Sequence, residues 1–292
     1  MEISVIIPTY YRHVDLSELF ESILKQTINP FEVIIVDDTP KDTIKIVCER
    51  YESKFEKINT ECKFIRNPRE RSAAIARNVG VENSSGDIIL FLDSDVILYP
   101  DFIEKILEVF KDNPDTIGVQ GWTIPYREYN KFIYYSYQVF AKIFSLHHDS
   151  INRCKFYETP VLLTKVINCV FLSSSNMALK KNILNEYRFD ENLKEYSYME
   201  DKLLSHSIYK KYPNSLFRTP HAKIIHKYSE AGRMEDKDLY EHKNRCRKYV
   251  LRKLFGTKGL LLYNWQTIGI SIMRIFKTYF TFFSKIPISD DK

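Results

Sequence analysis

Glycine is scarce in this sequence, and its positions exclude two familiar phosphate-binding loops. None of the 8 glycines among 292 residues falls in the G-x-G-x-x-G pattern of dinucleotide-binding folds or the G-x-x-x-x-G-K-[ST] pattern of the P-loop. The 5 cysteines are odd in number and never spaced as C-x-x-C. This argues against a zinc knuckle or a redox pair and for thiols in a reducing compartment. The first apolar run is too short for a secretory signal, so we expect a cytoplasmic protein.

The chain does contain a regular alternation of apolar runs and segments with helical periodicity. Continuous apolar runs occur at 3–7, 33–36 and 88–92, and apolar residues at helical spacing occur at 16–24, 44–51, 73–81 and 102–110. Uninterrupted apolar strands are typical of a parallel sheet covered by helices on both faces, so the pattern predicts an α/β fold. After Gly121 the alternation stops, and we expect the chain to divide into 1–122, 123–232 and 233–292.

Acidic or polar residues directly follow three of the predicted strands. Asp37-Asp38 follows 33–36, Asp93-Ser94-Asp95 follows 88–92, and Pro8-Thr9-Tyr10 follows 3–7. Ligands of open α/β sheets bind beyond the carboxyl ends of the strands. Clustered carboxylates raise each other's pKa unless a cation joins them, and Mg²⁺ or Mn²⁺ is the natural partner and would hold a diphosphate. One such Asp more often caps a helix, but two acidic strand ends favour a site.

A positive charge for this site is offered by the segment Arg71–Gly80. Its alanines allow close helix packing, and Arg77 could reach a phosphate with its forked guanidinium. A surface arginine on an amphipathic helix explains the same pattern, and taken alone it is the better explanation. A role for Arg77 in the site is favoured only because acidic strand ends precede and follow it in the sequence.

Seven short motifs follow one another along the chain. They are S-V-I-I-P-T-Y at 4–10, E-V-I-I-V-D-D at 32–38, A-R-N-V-G at 76–80, D-I-I-L-F-L-D-S-D at 87–95, S-S-N-M-A-L-K-K at 174–181, F-D-E-N-L at 189–193 and M-E-D-K-L-L at 199–204. In this order they resemble the motifs of the family 2 glycosyltransferases; each is weak alone, but seven in the same order are highly specific. The resemblance implies the GT-A fold: a Rossmann-like, mostly parallel sheet flanked by helices, here followed by a helical tail.

The resemblance also implies which residues form the site. Residues 1–122 would bind a nucleotide sugar, and 123–232 would bind the acceptor and supply the catalytic base. Asp38 would accept a hydrogen bond from the nucleobase, and Arg77 would face the diphosphate. Asp201 would be the general base, with Glu200 in reserve. The full implied set is Pro8, Thr9, Tyr10, Asp38, Arg77, Asp93 and Ser94 for the donor, Asp95 and His226 for the metal, and Asp201 and Glu200 for catalysis.

The implied activity is inverting transfer of a sugar from a nucleoside-diphosphate sugar to a hydroxyl of a glycan or lipid-linked acceptor, with Mn²⁺ or Mg²⁺ as cofactor. A hydroxyl is a poor nucleophile at neutral pH, so a carboxylate must take its proton. Two alternatives remain. A sugar nucleotidyltransferase would usually carry a glycine-rich N-terminal signature, and an inactive sugar-nucleotide-binding membrane adaptor has no need of intact Asp93, Asp95, Arg77 and Asp201.

Other histidines and the aromatic middle of the chain are less informative. His221 is a weaker rival to His226 as a metal ligand. His147-His148 are adjacent and therefore do not share a helix face, so we interpret them as solvated or acceptor-loop residues. Residues 126–165 are rich in aromatic side chains, and we expect them to form the acceptor surface.

The net positive charge lies in the C-terminal part of the chain. Residues 233–292 hold 13 basic and 6 acidic side chains, whereas 1–232 hold 30 and 32. Helical patterns run over 236–255 and 260–286, and the longest uncharged stretch, 259–273, is shorter than the roughly 20 residues that a spanning helix needs. A basic segment at 243–253 followed by an apolar stripe from Ile268 to Ile286 is typical of a helix on an anionic membrane surface. A tail helix packed on the catalytic domain explains this pattern equally well, whereas a nucleic-acid-binding tail does not.

Overall fold

The computed structural model describes residues 1–124, 139–145 and 163–283. Of these, 1–124 and 163–246 form one compact unit, and 139–145 and 247–283 form a second. The division into 1–122, 123–232 and 233–292 stays a prediction.

The first unit begins with four parallel strands whose residues are mostly β-branched or otherwise apolar. β1 (Ile3–Thr9) lies between β2 (Glu32–Asp37) and β4 (Ile88–Leu92), and β3 (Glu61–Arg66) pairs with the far side of β2. Thr9 stands opposite Asp37 in the register of β1 and β2. The carboxyl ends of these strands therefore lie at the same edge of the sheet.

Five further strands among the described residues extend this sheet. They are β5 (Val96–Leu98), β6 (Gly118–Ile124), β7 (Ile167–Asn168), β8 (Asn176–Lys180) and β9 (Leu216–His226). The order across the sheet is β3-β2-β1-β4-β8-β6-β9-β5, with β7 paired to β9. Asn176 pairs with Leu92 and His226 pairs with Val96, so residues late in the chain lie beside the acidic end of β4.

Helices cover both faces of the sheet. α1 (His13–Ile23), α2 (Thr43–Glu56) and α4 (Phe102–Asp112) pack on the face that carries Val5 and Ile7 of β1. α3 (Ala73–Glu82), α5 (Lys181–Glu186) and α6 (Glu200–Lys211) pack on the face that carries Ile6. Successive strand residues thus enter opposite cores, which is why the strands read as uninterrupted apolar runs. The predicted α/β fold, a sheet flanked by helices, is confirmed.

The last helix, α7 (Asp236–Phe283), leaves helical geometry at Gly256 (φ 56°, ψ −130°). This positive φ suits glycine, and it separates two helical segments close to the break that the sequence predicts. Within the second unit, the Trp265 indole Nε1–H donates to the Ile143 carbonyl at 2.8 Å, and its ring stacks on Phe144 at 5.0 Å between centroids. Nowhere in 1–124, 139–145 or 163–283 does a helix have both the length and the apolar character to cross a membrane.

Candidate active site

Two aspartates and a histidine meet at the carboxyl edge of the sheet. Asp93 and Asp95 follow β4, and His226 ends β9. One ligand atom from each of the three lies within 4.8 Å of the others. The His226 Nε2 atom is 3.2 Å from Asp95 Oδ1 and 3.9 Å from Asp93 Oδ2. The structure therefore brings together an O, O, N donor set from distant parts of the chain.

Asp95 is almost completely buried and has a hydrogen-bond donor at each carboxylate oxygen. Oδ1 accepts from Arg12 Nη1 at 2.8 Å as well as contacting His226, and Oδ2 accepts from the Ser229 backbone N–H at 3.0 Å. Burial alone would raise the pKa of Asp95, but the hydrogen bond with His226, the charge of Arg12 and the Ser229 N–H outweigh it and lower the pKa. Asp95 therefore stays ionised despite its burial.

Arg12 also holds the segment 229–232, which we call the strap. Its Nε donates to the Ala231 carbonyl at 2.9 Å and its Nη2 to the Ser229 carbonyl at 3.3 Å. The strap ends at Gly232, whose φ is 69° and where a Cβ atom would collide with the Tyr10 carbonyl. Only glycine suits that close approach. One arginine thus fastens the strap to Asp95.

Arg77 links the acids of β4 to those of α6. It is buried, with Nη1 2.9 Å from Glu200 Oε1 and Nη2 3.0 Å from Asp93 Oδ1. The Ser174 hydroxyl also donates to Glu200, at 3.0 Å. Burial, and then the charge of Asp201, raise the pKa of Glu200, and Arg77 opposes the rise. The predicted contact of Arg77 with a diphosphate stays a prediction, because its two Nη atoms hold carboxylates here.

Asp201 stands beside Glu200 in the first turn of α6 and is less buried. Its Oδ1 accepts from the Lys202 backbone N–H at 2.8 Å, and its Oδ2 accepts from the Ser174 backbone N–H at 3.4 Å. Carboxylates are stabilised at helix N-termini by the helix dipole. Both acids of α6 therefore contact Ser174, while the backbone N–H of Asp93 donates to the Ser175 carbonyl at 3.3 Å.

The segment before α6 has an unusual backbone that fixes these acids. Glu195, Ser197 and Met199 have φ of 55°, 49° and 72°, in the left-handed region that costs a non-glycine residue about 1–3 kcal/mol. The buried Ser197 Oγ accepts from the Ala74 N–H at 3.1 Å and lies 2.8 Å from the hydroxyl of Ser72, the N-cap of α3. This segment thereby ties α3, which carries Arg77, to α6.

The predicted donor pocket lies at the ends of β1 and β2. The Thr9 hydroxyl is buried, and among the described residues it has no hydrogen-bond partner. Asp38 Oδ1 accepts from the Asn67 amide at 2.6 Å. Burial raises the pKa of Asp38 to about 6, although the hydrogen bonds from Asn67 and from the Ser72 N–H lower it.

Three further predicted donor residues lie on or next to β1 and β4. The Arg71 guanidinium lies 4.8 Å from the centre of the Tyr10 ring. Pro8 is in β1, and Ser94 is buried between the two aspartates.

The donor set of Asp93, Asp95 and His226 fits a divalent ion. Carboxylates suit Mg²⁺ and Mn²⁺, and the imidazole nitrogen is tolerated better by Mn²⁺ than by Mg²⁺, which prefers oxygen. Asp95 Oδ1 already contacts Arg12 at 2.8 Å, on the same atom that faces His226. Arg12 and His226 thus contact the same carboxylate oxygen of this donor set.

Residues 4–188, well over half of the chain, match the family described as glycosyl transferase family 2. The chain belongs to glycosyl transferase family 2. The family assignment made from the seven motifs is confirmed.

Individual relatives of this family 2 chain differ in how much of their length it covers. YwdF of Bacillus subtilis, an uncharacterized glycosyltransferase, is 28% identical over 261 residues, which are 89% of this chain and 85% of YwdF. Glucosyl-dolichyl phosphate glucuronosyltransferase of Haloferax volcanii is 31% identical over 127 residues, which are 43% of this chain and only 39% of that protein. The mannosyltransferase PcManGT of Pyrobaculum calidifontis, solved with GDP-Man and Mn²⁺, shares the fold with a TM-score of 0.60 at 13% identity, over 94% of this chain and 75% of that one.

Sequence reasoning missed several residues of this family 2 site. Arg12 is the most important of them, and its position three residues after Thr9, at the edge where the acids gather, is the signal that could have found it. Tyr228 is exposed, and its ring centre is 4.2 Å from that of His226. His221 is exposed on β9, where its backbone N–H bonds to Thr219. His147-His148 and most of 126–165 lie outside the described residues.

Proposed function

We propose that this chain catalyses inverting transfer of a sugar from a nucleoside-diphosphate sugar to a hydroxyl of a glycan or lipid-linked acceptor. The observation that carries the proposal is the chain of contacts from Asp95 through His226, Asp93 and Arg77 to Glu200, with Asp201 next to it. Membership of family 2, the GDP-Man complex of PcManGT and the name of the Haloferax relative, which specifies glucosyl-dolichyl phosphate, support it.

On this proposal the donor binds along the carboxyl edge of the sheet. Asp38, when ionised, accepts a hydrogen bond from the nucleobase. The Thr9 hydroxyl, which has no partner within the part of the chain that the structure describes, lies at the end of the neighbouring strand β1. The diphosphate lies beside Asp93, Asp95 and His226. A divalent ion held by these three residues, Mn²⁺ or Mg²⁺, would stabilise the negative charge of the leaving diphosphate. Arg77 acts as a positioning residue that orients Asp93 and Glu200.

Asp201 is the proposed general base. It takes the proton of the acceptor hydroxyl as that oxygen attacks the anomeric carbon from the side opposite the diphosphate. Glu200 is less suited, because Arg77 and Ser174 already occupy its Oε1 atom and burial favours its protonated form. The Ser174 N–H orients the Asp201 carboxylate through Oδ2, while the remaining lone pairs of that carboxylate stay able to accept a proton.

Substitution of the base tests the proposal. A screen of UDP-, GDP- and dTDP-sugars with Mn²⁺ first identifies the donor by release of nucleoside diphosphate; release of pyrophosphate instead would indicate a nucleotidyltransferase. In Asp201→Asn we then expect kcat to fall about 10²–10⁴-fold, the usual contribution of a general base, with nucleotide affinity unchanged. Glu104→Gln, which alters an acidic residue in the first turn of α4, is the matched control and should be fully active. Near-normal turnover by Asp201→Asn contradicts the assignment.

The tail is proposed to bind the anionic cytoplasmic face of a membrane, so that the enzyme is peripheral. In α7, Leu261, Ile268 and Ile275 are 71%, 50% and 58% exposed and follow one another at seven-residue spacing, which places them on one side of the helix. Exposed cations precede them in the same unit, at Lys248, Arg252, Lys253 and Lys258. An apolar seam next to basic side chains is typical of helices that lie in the headgroup region of anionic bilayers.

A further inference from the structure

We propose that Arg12 is a built-in competitor of the divalent ion at Asp95, and that binding of the ion releases the strap, residues 229–232. Arg12 is on this view a positioning residue that sets the affinity of the site for the ion. The inference rests on the cation site of the proposed function, although its test does not measure sugar transfer.

The first step is that Arg12 and the strap close a ring around the Asp95 carboxylate. Arg12 Nη1 holds Asp95 Oδ1 at 2.8 Å, and the same guanidinium donates to the carbonyls of Ala231 at 2.9 Å and Ser229 at 3.3 Å. The ring is completed by the Ser229 N–H, which donates to Asp95 Oδ2 at 3.0 Å. The position of the strap is therefore coupled to the state of a single carboxylate.

The second step is that the ion and the guanidinium need the same atom. Asp95 Oδ1 is the oxygen closest to His226 Nε2, at 3.2 Å, and it is also the oxygen that Arg12 holds. Asp93 Oδ1 is paired with Arg77. A divalent ion bound between Asp95, Asp93 and His226 would lie beside the positive charge of Arg12, and the two cations repel each other. Arg12 must withdraw from Asp95 when the ion binds.

The third step is that withdrawal loosens the strap and little else. The chain just before it and its own last residue, Gly232, keep contacts that do not involve Asp95 side-chain oxygens. The Lys227 ammonium pairs with Asp15 at 2.6 Å and Glu18 at 2.8 Å on α1, and Gly232 lies against the Tyr10 carbonyl. Because coupling between two binding events is reciprocal, whatever loosens the strap must also strengthen binding of the ion.

The competition is tested by titrating the full chain with Mn²⁺ alone. The electron paramagnetic resonance signal of free Mn²⁺ measures how much of the ion is bound at each step. In Arg12→Gln we expect Mn²⁺ to bind about tenfold more tightly. A positive charge next to a carboxylate lowers its affinity for a proton by about this factor or more, and we expect a similar effect on its affinity for a metal cation. A merely structural Arg12 predicts the opposite, since a disordered Asp95 would bind the ion less well. Lys227→Gln is the matched control: it removes one positive charge next to the strap but outside the carboxylate cluster, and should leave the affinity unchanged.

Hydrogen exchange gives the second measurement. In the wild-type chain, Mn²⁺ should accelerate exchange of the backbone amides at 229–232; in Arg12→Gln these amides should exchange fast already and respond less. Mn²⁺ that slows their exchange in the wild type, or binds Arg12→Gln no more tightly, overturns the inference. Absence of Mn²⁺ binding to both proteins also overturns it, whereas the sugar-transfer proposal is decided separately by Asp201→Asn.

Discussion

Asp38 is a residue whose protonation should be visible in solution. Burial raises its pKa from 3.8 to about 6 in the folded protein. The folded state therefore binds a proton more tightly than the unfolded state, so the stabilising contribution of this proton is complete below about pH 4 and is lost as the pH rises through 6. This is the opposite of the usual behaviour of a carboxylate, which is stabilised by its partners in the ionised form.

The same residue is expected to make nucleotide binding depend on pH. A base N–H donates a stronger hydrogen bond to the ionised carboxylate than to the protonated one, so we expect the affinity for the nucleoside diphosphate to increase as the pH is raised from below to above 6. Calorimetric titration without metal, at several pH values, measures this increase. Asp38→Asn should bind weakly with no such dependence. A pH dependence that persists in this variant would assign the titration to another group.

The segment before α6 shows at the scale of one element how the fold prepares a site. Glu195, Ser197 and Met199 are held in left-handed conformations because Ser197 is buried and bonded to the first turn of α3. Loss of that hydroxyl leaves the Ala74 N–H and the Ser72 hydroxyl without one partner each, and unsatisfied buried groups cost about 1–3 kcal/mol. The destabilisation affects the contact between α3 and α6, which holds Arg77 next to Glu200.

Ser197→Ala should therefore lower both stability and turnover. We expect a loss of about 1–3 kcal/mol in the free energy of unfolding, and a fall in kcat because Ser197 helps to hold Arg77 of α3 in place against Glu200 of α6. Urea unfolding and steady-state kinetics measure the two effects. Ser207→Ala, whose hydroxyl donates to the Leu203 carbonyl within α6, is the control and should change little. Equal effects from both serines would argue against a special role for Ser197.

Strands, helices and acidic strand ends were predictable because their signals are local. An apolar run such as 88–92 and the Asp93-Ser94-Asp95 that follows it indicate both a buried strand and its functional end. The contact between Arg12 and the strap was not predictable, because Arg12 and Ala231 are 219 residues apart and meet only through the folded sheet. The left-handed Met199 was equally hidden, since methionine gives no signal of a positive φ.

At the scale of the whole molecule, the site depends on chain segments that are far apart in sequence. Arg12 lies near the start of the chain, Asp93 and Asp95 follow β4, and His226 ends β9. The sheet order places β8 beside β4 and β9 beside β5, so the late strands deliver Ser174, Ser175 and His226 to the edge built by the parallel strands. Any change that weakens these late pairings is expected to reduce catalysis before it unfolds the parallel half.

The tail prediction concerns association of the whole protein with membranes. Burying a Leu or Ile side chain contributes about 1.5–3 kcal/mol, so replacing Leu261, Ile268 and Ile275 by Ser together should weaken vesicle binding at least about a hundredfold. Cosedimentation with phosphatidylcholine vesicles, with and without phosphatidylglycerol, measures this and should show binding only to the anionic vesicles. Ile46→Ser, at an exposed apolar residue of α2, is the control. If the wild-type chain self-associates in analytical ultracentrifugation but binds neither kind of vesicle, the apolar seam is instead a contact between copies of the protein.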